Sequence, residues 1–155
     1  MKISSITSNN RRRVLELVAG RRTFTFPYAR LSPMPHAGDP LVEVWPDLEL
    51  GGEGFSWRLR SGAEGTLHVD AVLEENRDPT FMTDLLLYRL SLEAEEQRSR
   101  CGISNRELIR RLGTSASQYY RLLDPANTRK SMADLITLLN VMGCDVDVVV
   151  KPRRT

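Results

Sequence analysis

Apolar and polar positions alternate in short runs through the first 75 residues, whereas later apolar positions recur every three or four. A period of two predicts strands, and a period near 3.6 predicts helices. VLELV (14–18) and TFTFPYARL (23–31) flank AGRR, with Gly20 available for a positive φ, and predict a hairpin. Phe24, Phe26 and Tyr28 alternate with polar or small neighbours, as a half-buried strand requires. SPMPHAGDP (32–40) carries three prolines and reads as a loop. LVEVW (41–45) stops at Pro46, GFSWRLR (54–60) places Phe55, Trp57 and Leu59 on one face, and SGAEG leads into TLHVDAVL (66–73). About five short strands are expected, forming a small antiparallel sheet or partly closed barrel with one buried face.

The period changes at Arg77-Asp78-Pro79. Asp78 is suited to cap a helix, and proline fits a first helical turn because its missing N–H would have no helical partner there. Phe81, Leu85, Tyr88 and Leu92 then fall at helical spacing, predicting a buried stripe on one helix of about 20 residues ending near Arg100. SNRELIRRLG (104–113) opens on an S-x-x-E capping box, Ser104 and Glu107, and closes on Gly113. Ser115 is the next cap, and ASQYYRLLD supplies a second helix, so the pair reads as a helix-turn-helix. Neighbouring side chains on a helix point about 100° apart, so Tyr119 and Tyr120 cannot share a face. ANTRK (126–130) reads as an exposed basic loop. Ser131 and Asp134 cap a last helix with Met132, Leu135, Ile136, Leu139 and Met142 as its stripe, and DVDVVV (145–150) reads as a closing strand. The expected fold class is α+β: a small antiparallel β-rich domain at 1–79, then an all-α helix-turn-helix module with a short terminal strand at 80–155.

Composition adds little, with 41% hydrophobic and 27% charged residues and a formal charge of +2. The placement of charge adds more. Residues 1–79 hold 10 basic and 11 acidic side chains, and residues 80–155 hold 12 and 9. Eight bases against Glu107 and Asp124 give +6 between Arg98 and Lys130, the electrostatic footprint of a module for a polyanion. No apolar run reaches the roughly 18 residues that a membrane span needs. MKISSITSNNRRR has no apolar core of a secretion signal, and two cysteines make no disulfide framework, so a cytoplasmic setting with both thiols reduced is expected.

The stretch SNRELIRRLGTSASQYYRLL resembles the lambda-repressor-like, Cro-type helix-turn-helix family, which has a cap, E-L early in the first helix, a turn glycine and a second serine cap in this register. Its continuation to Gly143 is also similar to the DNA-binding part of toxin–antitoxin antitoxins. The likeness covers roughly residues 86–150; residues 1–75 resemble no antitoxin partner domain. It implies that Asn105 lies on a DNA phosphate and that the helix from Ser115 enters the major groove. Ala116, Ser117, Gln118, Tyr120 and Arg121 would then face bases or flanking backbone, while Tyr119 takes the inward position. Arg121 is the best-equipped reader, because its planar fork can pair with guanine O6 and N7, although Asp124 three residues on competes for it. Arg129 and Lys130 suit phosphate contacts.

The implied partners are double-stranded DNA, a second copy of the chain and, if the antitoxin likeness holds, a toxin bound by the N-terminal domain. DVDVVV is a candidate for pairing across the dimer, because an exposed strand edge invites association. A protein-interaction module that no longer reads DNA is the competing reading, since Ala116 and Ser117 offer little to a base. His36 and His68, 32 residues apart, lack zinc-site spacing, the acidic cluster Asp70, Glu74 and Glu75 has no nucleophile or base beside it, and no phosphate loop or nucleophile elbow occurs. No catalytic residue, metal or cofactor is therefore expected.

Overall fold

The computed structural model describes residues 1–154 and divides into two compact units, 1–82 and 83–155. The division falls three residues beyond the expected boundary, inside the first turn of a long helix.

The first unit has two three-stranded antiparallel sheets. One contains β1 (Ile3–Asn9), β2 (Val14–Ala19) and β3 (Arg22–Pro27); the other contains β4 (Leu41–Pro46), β5 (Gly54–Leu59) and β6 (Glu64–His68). β2 and β3 pair from Val14–Pro27 to Ala19–Arg22 around a two-residue turn, where Gly20 and Arg21 both take positive φ. Leu15, Leu17, Phe24 and Phe26 from the first sheet meet Phe55, Trp57 and Leu59 from the second in one core. The Phe26 and Phe55 rings meet edge-on at 6.0 Å, and Trp57 Nε1 donates to Pro33 O at 2.9 Å. Its burial therefore leaves no orphan donor.

Several expectations are corrected here. Six strands form, not five, because ISSITSN is also a strand. Its inward residues Ile3 and Ile6 are three apart across an irregularity in register, which hides the period of two. β3 ends at Pro27, and Tyr28–Arg30 form a single 3-10 turn. TLHVDAVL is strand only to His68, whose Nδ1 accepts the Asp70 N–H and caps α1 (Val69–Glu75). Val69, Val72 and Leu73 are that helix's buried stripe, at spacings of three and four.

Asp78 does cap α2 (Pro79–Arg100): its Oδ2 accepts the Phe81 N–H at 3.0 Å, and Oδ1 pairs with Arg22. The expected stripe on α2 is out of phase. Only Phe81 packs on the first unit's core, while Tyr88 and Leu92 are nearly half exposed. The face buried in the second unit is instead Leu87, Ser91 and Ala94, with the Ser91 hydroxyl returned to Leu87 O at 2.6 Å.

The second unit continues with α3 (Asn105–Leu112), α4 (Ala116–Leu123) and α5 (Met132–Val141). Leu108, Tyr119, Leu123, Leu135, Leu138, Leu139 and Met142 join the buried face of α2 in one core. Met132, expected in the α5 stripe, is exposed, and Leu138 takes a buried place. The closing strand expected at 145–150 does not form: those residues adopt no regular structure and pair with no strand among the described residues. No helix among the described residues is long and apolar enough to cross a membrane.

Candidate nucleic-acid interface

Three serine caps set the geometry of the second unit. Ser104 Oγ accepts the Glu107 N–H at 3.2 Å, Ser115 Oγ accepts the Gln118 N–H at 3.1 Å, and Ser131 Oγ accepts the Asp134 N–H at 3.1 Å. Each bond satisfies a donor that the start of a helix would otherwise strand. Gly113 closes α3 at φ 66°, where an added Cβ would meet nothing but the backbone conformation itself disfavours side chains. Gly113, Thr114 and Ser115 thus turn the chain directly into α4. The box at Ser104 is only half made, because the Glu107 carboxylate goes elsewhere.

It goes to two arginines. Arg110 Nε donates to Glu107 Oε2 at 2.8 Å and Arg111 Nε donates to Oε1 at 3.0 Å, and these bonds hold the Glu107 carboxyl down at about 2. Arg98 is bound by Glu95 and Arg100 by Glu96, at i,i+3 and i,i+4. The +6 of residues 98–130, which already counts Glu107, is further offset by Glu95 and Glu96 just before that window. Among the described residues, Arg106, Arg121 and Arg129 have no carboxylate partner, and the competing Arg121–Asp124 pair is not made.

On α4, register separates the two tyrosines. Tyr119 is fully buried and Tyr120 is 54% exposed, and their rings meet edge-on at 5.1 Å. The Tyr119 hydroxyl donates to Asn105 Oδ1 at 2.7 Å, and Arg98 Nη1 reaches the same oxygen at 3.4 Å. Burial raises the Tyr119 hydroxyl pKa, so it stays a donor. Asn105, half-buried at the start of α3, thus has its carbonyl oxygen held inward and its amide NH2 left without a partner among the described residues. Ser115, Ala116, Ser117, Gln118, Tyr120 and Arg121 are all exposed.

The ANTRK loop is tied down more firmly than its composition suggests. Lys130 Nζ donates to Leu122 O at 2.9 Å and to Asp124 O at 2.6 Å, and Asn127 Nδ2 donates to Arg121 O at 3.1 Å. These donors satisfy carbonyls at the end of α4, where a cation also opposes the helix dipole. Lys130 is half-buried in this role, and burial lowers its pKa. Two of its three donors are therefore occupied within the chain, whereas Arg129 is exposed.

The turn, α4, this loop and the start of α5 enclose an open groove of about 930 Å³. Gln118, Arg121, Arg129 and Lys130 line it with donors, and Asp134 and Thr137 lie on its α5 side. Of the residues predicted from sequence, the groove gathers Gln118, Arg121, Arg129 and Lys130. Asn127, Asp134 and Thr137 were not anticipated, since only the folding of the loop back onto α4 brings them there. His36 Nδ1 is occupied by the Gly38 N–H, and no group of three or more His, Cys, Asp or Glu among the described residues is placed to hold a metal. Comparison with protein-family models, with curated proteins and with solved structures returns no match.

Proposed function

We propose that the second unit binds double-stranded DNA and that the chain is a cytoplasmic, sequence-specific transcriptional regulator, non-enzymatic and dimeric. The observation that carries this reading is the pairing of charges around α4. Glu95, Glu96 and Glu107 pair with Arg98, Arg100, Arg110 and Arg111, whereas Arg121, with Asp124 three residues on, and Arg129 make no ion pair among the described residues, and both line the groove beside an exposed, serine-capped helix. Unpaired guanidinium groups on a concave surface suit phosphate and base edges, which accept hydrogen bonds in a plane. Asn105, with its amide free at the start of α3, is the further donor to a phosphate.

Fluorescence anisotropy with labelled DNA from upstream of the chain's own gene, repeated over a salt series, tests the reading. Contacts to phosphates predict log K falling with log salt by nearly one for each phosphate neutralised. Flat salt dependence, or no binding at low salt, would sink it. The apolar residues exposed on α2, Leu86, Tyr88 and Leu92, favour a second reading in which the unit docks a protein, such as a toxin, and reads no DNA. Under that reading, Tyr88→Lys would abolish capture of the protein encoded by the adjacent gene and leave DNA experiments blank.

A further inference from the structure

The DVDVVV segment leaves α5 just after Cys144, whose N–H donates to Leu139 O at 2.9 Å, and then pairs with no strand among the described residues. Val148, Val149 and Val150 are 80%, 75% and 88% exposed. The backbone of residues 145–151 makes one hydrogen bond among the described residues, from the Val148 N–H to its neighbour Asp147 Oδ1 at 2.8 Å. Strand-forming residues with two open edges and bare valines form an incomplete structural unit.

Charge and period identify what completes it. Asp145 and Asp147 precede Val148, Val149 and Val150, and Lys151, Arg153 and Arg154 follow them. Two such segments side by side in parallel would set Asp145 against Asp145 and Lys151 against Lys151. Run antiparallel about Val148, they set Asp145 against Lys151 twice, Val146 against Val150 twice, and Val148 against itself. Residues 146, 148 and 150 share one face of a strand, so this register also builds an unbroken valine face from both copies. The segment is complementary to itself only in the antiparallel sense, which is the two-fold arrangement of a symmetric dimer.

We propose that residues 145–151 form the homodimer contact, as an antiparallel two-stranded ribbon between two copies of this chain. The inference rests on the dimeric reading given above and supplies its surface, but it is measured without DNA.

Sedimentation equilibrium on the full chain is the test. The wild type is expected at twice 17.6 kDa in the micromolar range. The double variant Val148→Pro/Val149→Pro removes one ladder donor whichever edge faces the partner, and should weaken association by about tenfold or more with an unchanged far-UV spectrum. Asp145→Lys and Lys151→Asp should each weaken it by about tenfold, since both make two like-charge pairs. An equimolar mixture of these two variants should recover dimers, because each Lys then meets an Asp. A wild type that stays monomeric at about 100 μM overturns the proposal. So does a proline variant of unchanged affinity, a charge reversal without effect, or a mixture that does not recover. If the dimer behaves as expected and DNA does not bind, only the DNA reading fails.

Discussion

Tyr119 is the residue on which the packing of the second unit can be tested most directly. Its ring is fully buried between α3 and α5 residues of one core, and its hydroxyl donates to Asn105 Oδ1 at 2.7 Å. Tyr119→Ala removes the ring and opens a cavity, at a cost of about 3–5 kcal/mol. Tyr119→Phe keeps the ring and removes only the hydrogen bond. Asn105 Oδ1 still has Arg98 Nη1 at 3.4 Å and a half-exposed position, so no buried acceptor is stranded and the cost should be about 1 kcal/mol. A unit of this length is expected to be stable by about 4–11 kcal/mol, so the alanine variant loses about a quarter of its stability at least.

The two units can be followed separately in one urea titration. Trp45 and Trp57 both lie in residues 1–82, whereas the helical signal comes mainly from α2 to α5. Tyr119→Ala should therefore move the far-UV circular dichroism transition strongly and tryptophan fluorescence little. Tyr119→Phe should lower the thermal midpoint of the helical signal by about 4–8 °C. A double-mutant cycle with Asn105→Ala should return a coupling of about 0.5–1.5 kcal/mol. An alanine variant within about 1 kcal/mol of wild type would refute the burial argument. A phenylalanine variant as damaged as the alanine one would show that the hydroxyl, not the ring, holds α4 in place.

Three further outcomes follow from named contacts. Arg121→Ala should cost about 1–3 kcal/mol at a preferred DNA site and relax choice at one base pair; equal loss on all sequences would make Arg121 a phosphate contact instead. Glu107→Gln frees Arg110 and Arg111, so the slope of log K against log salt should steepen, by up to about two. The same variant has a signature in pH: the folded-state pKa of Glu107, about 2, lies below its ordinary 4.5, so its contribution is full above pH 4.5 and is lost as pH falls towards 2. Melts of the helical signal should show a shallower acid decline in the glutamine variant, and identical declines would contradict the ion pairs. Gly65→Ala would set a Cβ 2.3 Å from Cζ2 of the buried Trp57, overpacking the first unit by about 1–3 kcal/mol or more, and should lower the tryptophan-fluorescence midpoint while leaving the helical transition near its wild-type position.

The parts of this molecule that can be read from sequence are those settled within about four residues. Asp78, Ser104, Ser115 and Ser131 each cap the helix expected of them, and Tyr119 and Tyr120 separate as helical register requires, because a cap or a register closes on its own neighbours. The α2 face is decided at longer range. Large apolar residues pointed to Phe81, Leu85, Tyr88 and Leu92, but the face buried in the second unit is Leu87, Ser91 and Ala94, so side-chain size alone did not mark the buried face. A strand needs a second strand, so DVDVVV has strand chemistry and no strand structure in one chain.

Charge behaves in the same two ways. The i,i+3 and i,i+4 pairs Glu95–Arg98, Glu96–Arg100 and Glu107 with Arg110 and Arg111 can be counted from spacing, but so can Arg121–Asp124, which does not form; the pairs made leave Arg106, Arg121, Arg129 and Lys130 of the basic cluster. Spacing does not show that Lys130 folds back onto α4 carbonyls. On the proposed DNA-binding reading, with that amine occupied and with Ala116 and Ser117 offering a base edge almost nothing, any choice among sequences would fall on Arg121, with Gln118 and Tyr120 beside it. A reader resting on so few side chains gains little discrimination from one half-site. On that reading two copies held at a fixed spacing would multiply it, and an interface that fixed their spacing would be as much a determinant of specificity as Arg121.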